Sequence, residues 1–482
     1  MSTTHDGKNC IEFGRTRHRF GRMTTPTRIE LPANAAQDIR AIVRAIVESG
    51  HECYLVGGSV RDLILGRPVY DFDFATDAHP TVVTKLFRRT VPTGIKHGTV
   101  TVLIRDRAYE VTTYRADGTY LDGRRPESVT FSKTLREDVA RRDFTINGLA
   151  YDVLREEIID YVEGLEDLAR RSIRTIGDPL ARFTEDGLRP FRACRFAAAL
   201  EFGIEPETLD AIPQTLEVAR LVAVERVRDE LMKMLAAPRP SVGLEYLRVS
   251  GLMDLVLPEL ARCHGVSQNK YHVYDVYYHS LYSCDAAPAE RPVIRLAALL
   301  HDLGKIPTRR AGDDGEATFY NHEVVGTRMA KAVMKRLKFP AEDIQKVANL
   351  VNNHMFHYTD EWTDGAVRRF MRKVDLENLE DLFALRLADR RGNGQRDGLP
   401  APIRELMRRI DTVIEEENAI KVTDLDINGH VIMQEFGVAP GPIIGKILNE
   451  LLELVLDDPA LNTRDVLVER ARGIFARLRE ES

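Results

Sequence analysis

Cysteine is scarce: five residues in 482 (Cys10, Cys53, Cys194, Cys263 and Cys284), odd in number, scattered and never in a Cys-x-x-Cys pair. That argues against a disulfide scaffold or a cysteine zinc site and fits the reducing cytoplasm. Long apolar runs are missing as well. Stretches such as Leu296–Leu300 fall far short of the roughly 18–20 residues a membrane span needs, so no membrane association is expected. The first residues are polar and basic with no apolar core segment, and no secretory signal is expected. An excess of either charge is also lacking: 68 Lys and Arg against 74 Asp and Glu leave a net −6. Such a total does not advertise a nucleic-acid binder, but binding depends on where charges sit. Arginine is locally dense at Arg170, Arg171, Arg174, Arg182, Arg189, Arg192 and Arg195, so an RNA would lie along a local basic stripe.

What the chain has is apolar content, 44% hydrophobic, enough to fill several cores at a length suggesting about three domains. Residues 1–27 show no apolar period and read as a tail. Apolar spacing then predicts a helix from about Pro32 to Gly50 and a strand at Glu52–Val56 running into Gly57–Gly58. A helix at Val60–Leu65 and a half-buried strand at Tyr70–Ala75 follow. Thr99–Ile104 and Tyr109–Thr113 read as strands joined by a polar turn at Arg105–Arg107, with a short strand at Val129–Phe131. After Gly164 helical periodicity dominates, from Phe191–Leu200 through Ile403–Ile414, with a Gly441–Pro442 break near the end. The expectation is an α+β head (28–160), then an elongated all-α neck (161–235), body (236–415) and tail (416–482).

Asp71 and Asp73 are two apart on an expected strand, so both side chains point to one face. Carboxylates held that close repel unless a cation sits between them, and Mg²⁺ suits carboxylate oxygens plus nucleotide phosphates. The bland alternative is a solvated polar face. Gly57-Gly58-Ser59 follows a strand and opens a helix, so backbone N–H groups there can cradle phosphate. Arg61 and Asp62 come next, and Glu110 on a later strand offers a third carboxylate.

Gly57-Gly58-Ser59-Val60-Arg61-Asp62 and Asp71-Phe72-Asp73-Phe74-Ala75-Thr76 resemble the first motif of the class II tRNA nucleotidyltransferases and bacterial poly(A) polymerases. These belong to the DNA polymerase beta superfamily. The resemblance continues through Gly94–Val100, Glu110–Arg115, Arg141–Gly148, Glu185–Arg189 and Glu225–Leu231, in order, over roughly residues 50–480. It implies a polymerase-beta-like head with a mixed sheet, in which Asp71 and Asp73 hold Mg²⁺ and Glu110 stands near the primer 3′ hydroxyl. It assigns Gly57, Gly58, Ser59 and Arg61 to the triphosphate, and Arg142, Asp143 and Asn147 to the ribose. An ion pair between the arginines and their own Asp143 is the structural reading, and it is compatible with the ribose role.

In the neck, Thr184 is a candidate N-cap for a helix carrying Glu185, Asp186, Arg189, Arg192 and Arg195. Asp186 and Arg189, three apart, would share a face as acceptor and forked donor. On spacing alone they read as an ordinary salt bridge; the resemblance makes them the reader of the incoming base. Pro190 lacks an N–H and predicts a kink near Asp186. Asp117–Pro126 resembles the flexible loop that complete CCA addition needs, with Arg124 and Arg125 as its basic residues.

In the body, His301-Asp302 ends an apolar helix, with His279, His322, His354 and Asp389 at other helical positions. Imidazole with carboxylate suits a transition metal. Leu299–Lys305 resembles the phosphohydrolase domain named after its His-Asp pair, and implies His279, His301, Asp302 and Asp389 as ligands. His322 and His354 become phosphate contacts or second-metal ligands. In this family such a domain, where active, hydrolyses phosphate esters or 2′,3′-cyclic phosphates; a relict that only binds tRNA is the alternative. The whole implies addition of CCA to tRNA from CTP and ATP. A poly(A) polymerase of the same fold, or a CC-only or A-only enzyme, is the runner-up. A non-catalytic RNA-binding protein would be expected to have lost Asp71, Asp73 or Glu110, and all three are present.

Overall fold

The computed structural model describes residues 29–94, 98–116, 130–268, 272–311, 316–394, 397–415 and 421–480. The described chain forms two compact units, meeting between Arg182 and Phe183. No helix among the described residues is long and apolar enough to cross a membrane.

The first unit is built on helix α1 (Ala36–Glu48), whose Ile39, Ile42, Val43 and Ile46 recur at helical spacing and are all fully buried. Burying each contributes about 1.5–3 kcal/mol. Strand β1 (Cys53–Val56) leads through Gly57 into helix α2 (Gly58–Ile64). Strand β2 (Asp73–Thr76), helix α3 (Pro80–Leu86) and strands β3 (Thr90–Gly94), β4 (Thr99–Ile104) and β5 (Arg107–Thr113) follow. The β4–β5 turn places Arg105 at φ 54°, left-handed backbone that closes the hairpin in two residues. Strands β6 (Arg115–Ala116) and β7 (Thr130–Phe131) pair with each other. Helix α4 (Leu135–Ala140), strands β8 (Leu149–Asp152) and β9 (Glu157–Asp160) and helix α5 (Gly164–Arg170) complete the unit.

The sheet runs β3-β4-β5-β2-β1-β8-β9. Only β2 and β5 pair in parallel; the other contacts are antiparallel, so the sheet is mixed as expected. The parallel pair is feasible because α3, β3 and β4 form the crossover between its strands.

Helix α6 (Pro179–Glu185) carries the chain into the second unit, which opens with helix α7 (Arg189–Leu200). Helices Val224–Leu235, Pro240–Val249, Pro292–Leu300, His322–Arg336, Ala341–Asn353, Leu379–Gly392 and Ala401–Glu415 follow the expected periodicity, and Val276–Ala286 is a further helix that apolar spacing does not announce. Pro442 starts the helix Pro442–Asp457, where a missing N–H is harmless. With Gly429–Phe436 and Arg464–Glu480, that helix shares a core of Ile432, Ile447, Leu451, Leu452, Val455 and Leu467.

Candidate active site and metal centre

The expected strand at Tyr70–Ala75 is shorter in the structure: β2 begins at Asp73, and Asp71 lies in the segment leading to it. Extended backbone still reaches back, because the Glu110 N–H donates to Phe72 O over 3.4 Å. Phe72 and Phe74 are both buried, which turns the alternate residues Asp71 and Asp73 to the other face. Across the parallel ladder Asp73 stands opposite Glu110. Asp73 and Glu110 are thus neighbours, and Asp71 is near enough for its charge to act on Asp73. Partial withdrawal from water and then the negative charge of Glu110 push the Asp73 pKa up to about 6; Arg142 opposes this and Asp71 adds to it. A carboxyl raised by its neighbours is stabilised as an anion by a divalent cation, so the donor set fits one.

Beside it lies the glycine turn. Gly57 has φ 74° and ψ −139°, a region closed to residues with a Cβ. A Cβ there would stand 3.0 Å from Arg142 Nη1. Ser59 Oγ donates to Val56 O over 2.9 Å, tying the turn to β1. Buried Arg61 donates through Nη1 to Asn147 Oδ1 over 2.6 Å, and Asn147 Nδ2 donates to Asp143 Oδ1 over 3.0 Å. Gly57, Arg61, Arg142, Asp143 and Asn147 thus converge. Arg141 and Arg142 both grip Asp138, at 2.8 and 3.0 Å, and Asp143 caps the next backbone N–H, that of Phe144, over 2.8 Å. Asp138 was legible as an i−3 and i−4 partner at the end of α4.

The neck differs from expectation. Thr184 is not an N-cap but sits in the last turn of α6, and the chain breaks before α7 starts at Arg189. Pro190 falls in the first turn of α7, where proline is tolerated, and the helical path is interrupted just ahead of it at residues 186–188, where the kink was expected. Asp186 and Arg189 therefore do not share a helix face. Asp186 Oδ1 accepts from the Leu188 N–H over 3.0 Å, and its Oδ2 lies 3.3 Å from Arg226. Arg189 Nη1 donates to Glu185 Oε2 over 2.8 Å. Glu185 and Arg226 are partners the spacing argument missed, although both stand within the quoted motifs. Arg192 and Arg195 approach Glu230, at 3.9 and 2.5 Å. Arg124 and Arg125 lie outside the described residues.

The body cluster is assembled from the ends of several helices. His279 Nε2 lies 3.2 Å from His301 Nε2, 3.4 Å from Asp302 Oδ2 and 3.2 Å from Asp389 Oδ1. His322 Nε2 lies 3.3 Å from His354 Nε2 and 3.4 Å from Asp302 Oδ1. The two oxygens of Asp302 therefore face two different sets, His279 with His301 and His322 with His354. Three rings are oriented by main-chain carbonyls: Nδ1 of His301, His322 and His354 meets Ala298, Phe319 and Val351 O at 2.7, 2.8 and 2.6 Å. A carbonyl only accepts, so each Nδ1 carries a proton and each Nε2 is turned inward. Imidazole nitrogens gathered with carboxylate oxygens at these distances fit transition metals.

Burial, with the charge of His301, lowers the His354 pKa to about 3, so that ring is a neutral ligand. Burial works against the Asp302 anion, but His301 and Lys305 hold its carboxyl well below the usual range. Lys305 Nζ, 2.6 Å from Asp302 Oδ2, is a further member that periodicity did not single out. Gly304 allows the turn to close, since a Cβ there would collide with the carbonyl of His322. A cavity of about 850 Å³ opens over the cluster, with Arg386, Arg390 and Tyr320 on its wall.

Residues 53–174 match the Poly A polymerase head domain, 201–263 the probable RNA- and SrmB-binding site of polymerase A, and 270–394 the HD domain. A CCA-adding enzyme of Levilactobacillus brevis is 50% identical over 215 residues, 44% of this chain and 53% of that enzyme. The crystal structure of the Bacillus stearothermophilus CCA-adding enzyme with CTP superposes with a TM-score of 0.72 at 28% identity, covering 94% of this chain and all of that one. The CCA-adding enzyme of Streptococcus sanguinis is 34% identical over 430 residues, 89% of this chain and 95% of that enzyme. With that likeness along nearly its whole length, the chain belongs to the family of CCA-adding enzymes.

Proposed function

We propose that this chain adds C, C and A in turn to the 3′ hydroxyl of tRNA, taking CTP and ATP and releasing pyrophosphate, with no nucleic-acid template. The observation that carries the reading is the register of Asp73 opposite Glu110, beside a glycine turn closed by Arg142. Asp71 and Asp73 would hold Mg²⁺, with Glu110 the carboxylate nearest the primer hydroxyl. Bound there, Mg²⁺ supplies the Lewis acidity that favours the attacking hydroxyl and the leaving pyrophosphate. Gly57, Gly58, Ser59 and Arg61 cradle the triphosphate. Arg142, Asp143 and Asn147 meet the ribose, Asp143 accepting from its 2′ hydroxyl. Asp186, steadied by Arg226, accepts the exocyclic amino group of cytosine or adenine, and Arg189 donates to ring or carbonyl acceptors.

The division of labour follows: head 28–160 for chemistry, neck 161–235 for base choice, and body and tail from 236 for tRNA. The buried thiols Cys53, Cys194, Cys263 and Cys284 are free, which supports a cytoplasmic setting. The body cluster supports a second, phosphohydrolase activity. His279, His301, Asp302 and Asp389 would hold one transition metal, and Asp302, His322 and His354 a second, supplying Lewis acidity for hydrolysis of a phosphate ester.

The deciding assay gives purified protein three tRNA transcripts, ending before CCA, after C and after CC, with CTP and ATP. Completion of all three to CCA is expected. Long A tails without C incorporation would establish the poly(A) reading instead.

A further inference from the structure

Nucleotidyl transfer sets the attacking and leaving oxygens on opposite sides of the reacting phosphorus. The groups assigned to the triphosphate lie on the β1 side of the carboxylates, since Gly57 to Arg61 follow β1. The primer must then arrive from the β5 side. A cleft of about 520 Å³ adjoins Asp71, lined from the start of β5 by Arg107 and from the segment between α2 and β2 by Arg67, Pro68 and Tyr70. Tyr70 is 85% exposed while Phe72, two residues on, is 3% exposed. A ring left that far in water adds almost nothing to folding.

We propose that this cleft seats the 3′-terminal nucleotides of the RNA primer, with Tyr70 as the stacking platform for a base and Arg67 and Arg107 as phosphate contacts. The proposal rests on the nucleotide-transfer reading above. The chemistry of the reaction explains why an aromatic ring suits the place. The terminal base of the primer changes after each addition, so a site reading base edges would fit one step and reject the next. Stacking accepts every base, because each has a π face. Arg67 and Arg107 line the cleft with the ring, and among the described residues Asp71 and Asp106 are its acidic lining groups. Once a cation offsets Asp71, the cleft favours a phosphate backbone.

The test measures KM separately for tRNA and for CTP, in wild type, Tyr70→Ala and Tyr70→Phe. Tyr70→Ala is expected to raise the KM for tRNA about tenfold or more and to leave that for CTP within about twofold, with Tyr70→Phe close to wild type. The same loss should appear in direct binding of a labelled acceptor-stem minihelix, which needs no turnover. Arg67→Gln and Arg107→Gln should each flatten the salt dependence of that binding. Unchanged tRNA affinity in Tyr70→Ala would overturn the proposal. So would a rise in the KM for CTP, or a fall in kcat alone, since either would mean that Tyr70 serves Asp71 and not the primer. A wild type that binds the minihelix through Tyr70 yet transfers no nucleotide would refute the enzymatic reading and leave the cleft standing as an RNA site.

Discussion

The Nε2 atoms of His322 and His354 face each other across 3.3 Å, while each ring has its Nδ1 proton on a backbone carbonyl. Two Nε2 atoms so fixed, with Asp302 Oδ1 3.4 Å from that of His322, form a donor set that suits a metal cation. The body is therefore expected to carry two transition-metal ions per chain. Elemental analysis of protein dialysed against Mn²⁺ or Ni²⁺ should give a ratio near two, falling to about one in His354→Ala. A ratio of zero in the wild type would leave the body as a relict.

His301→Ala with Asp302→Ala should abolish metal-dependent phosphatase activity and leave CCA addition largely intact, because the head carboxylates lie in the other compact unit. The two rates, measured on one preparation, check this. Parallel loss of both would mean that the body supports the head.

In the head, Asp71→Ala or Asp73→Ala should reduce transfer of C and of A alike, by at least about a hundredfold in kcat. Loss of one nucleotide only would show that these carboxylates select bases and do not serve the chemistry.

The raised Asp73 pKa, about 6, sets a pH dependence. Above that value the carboxylate is free to take a cation; below it a proton competes. At limiting Mg²⁺ the rate should fall as pH drops through about 6, and added Mg²⁺ should move the midpoint to lower pH. A midpoint indifferent to Mg²⁺ would assign the titration to another group.

Base choice should loosen when Asp186 is removed. Uracil and guanine present a carbonyl where cytosine and adenine present an amino group, and a carboxylate facing a carbonyl costs about 1–3 kcal/mol. Asp186→Ala should admit UTP or GTP with transfer otherwise preserved, and Arg226→Ala, which frees the Asp186 carboxylate to swing, should do so in part. Single-nucleotide incorporation onto tRNA lacking CCA measures both. Strict exclusion in Asp186→Ala would place base reading elsewhere.

Gly57→Ala should destabilise the protein by about 1–3 kcal/mol, read as a lowered urea midpoint. It should also raise the KM for both nucleotides, because the new Cβ would press on Arg142. A variant with unchanged KM values would separate the turn from triphosphate binding.

Much of this architecture was legible in the chain. The Ile39, Ile42, Val43, Ile46 spacing gave α1, and helix Val224–Leu235 begins and ends where its apolar period does. Helices carry their pattern locally, within one turn. In the neck, Pro190 has two compatible positions in a helix, an interior kink or a first turn, and it occupies the second, with the break ahead of it at residues 186–188. Asp138 and Arg226 were missed for different reasons. Asp138 was in reach on the same helix, whereas Arg226 meets Asp186 only after the chain has turned back over 40 residues. The pairing of Asp73 with Glu110 likewise needs tertiary register, which no local period reports.

That register also bears on how the enzyme is made. β2 and β5 cannot pair until α3, β3 and β4 have been synthesised and folded between them, and β1 needs β8 on its other flank. Contacts of such long sequence separation form late, after their loop entropy has been met. A chain emerging from the ribosome therefore carries its Asp-Phe-Asp segment well before it carries a catalytic centre. Half-made heads should be inert, so truncated or stalled products would draw on neither the nucleotide pool nor the tRNA ends that the finished enzyme serves.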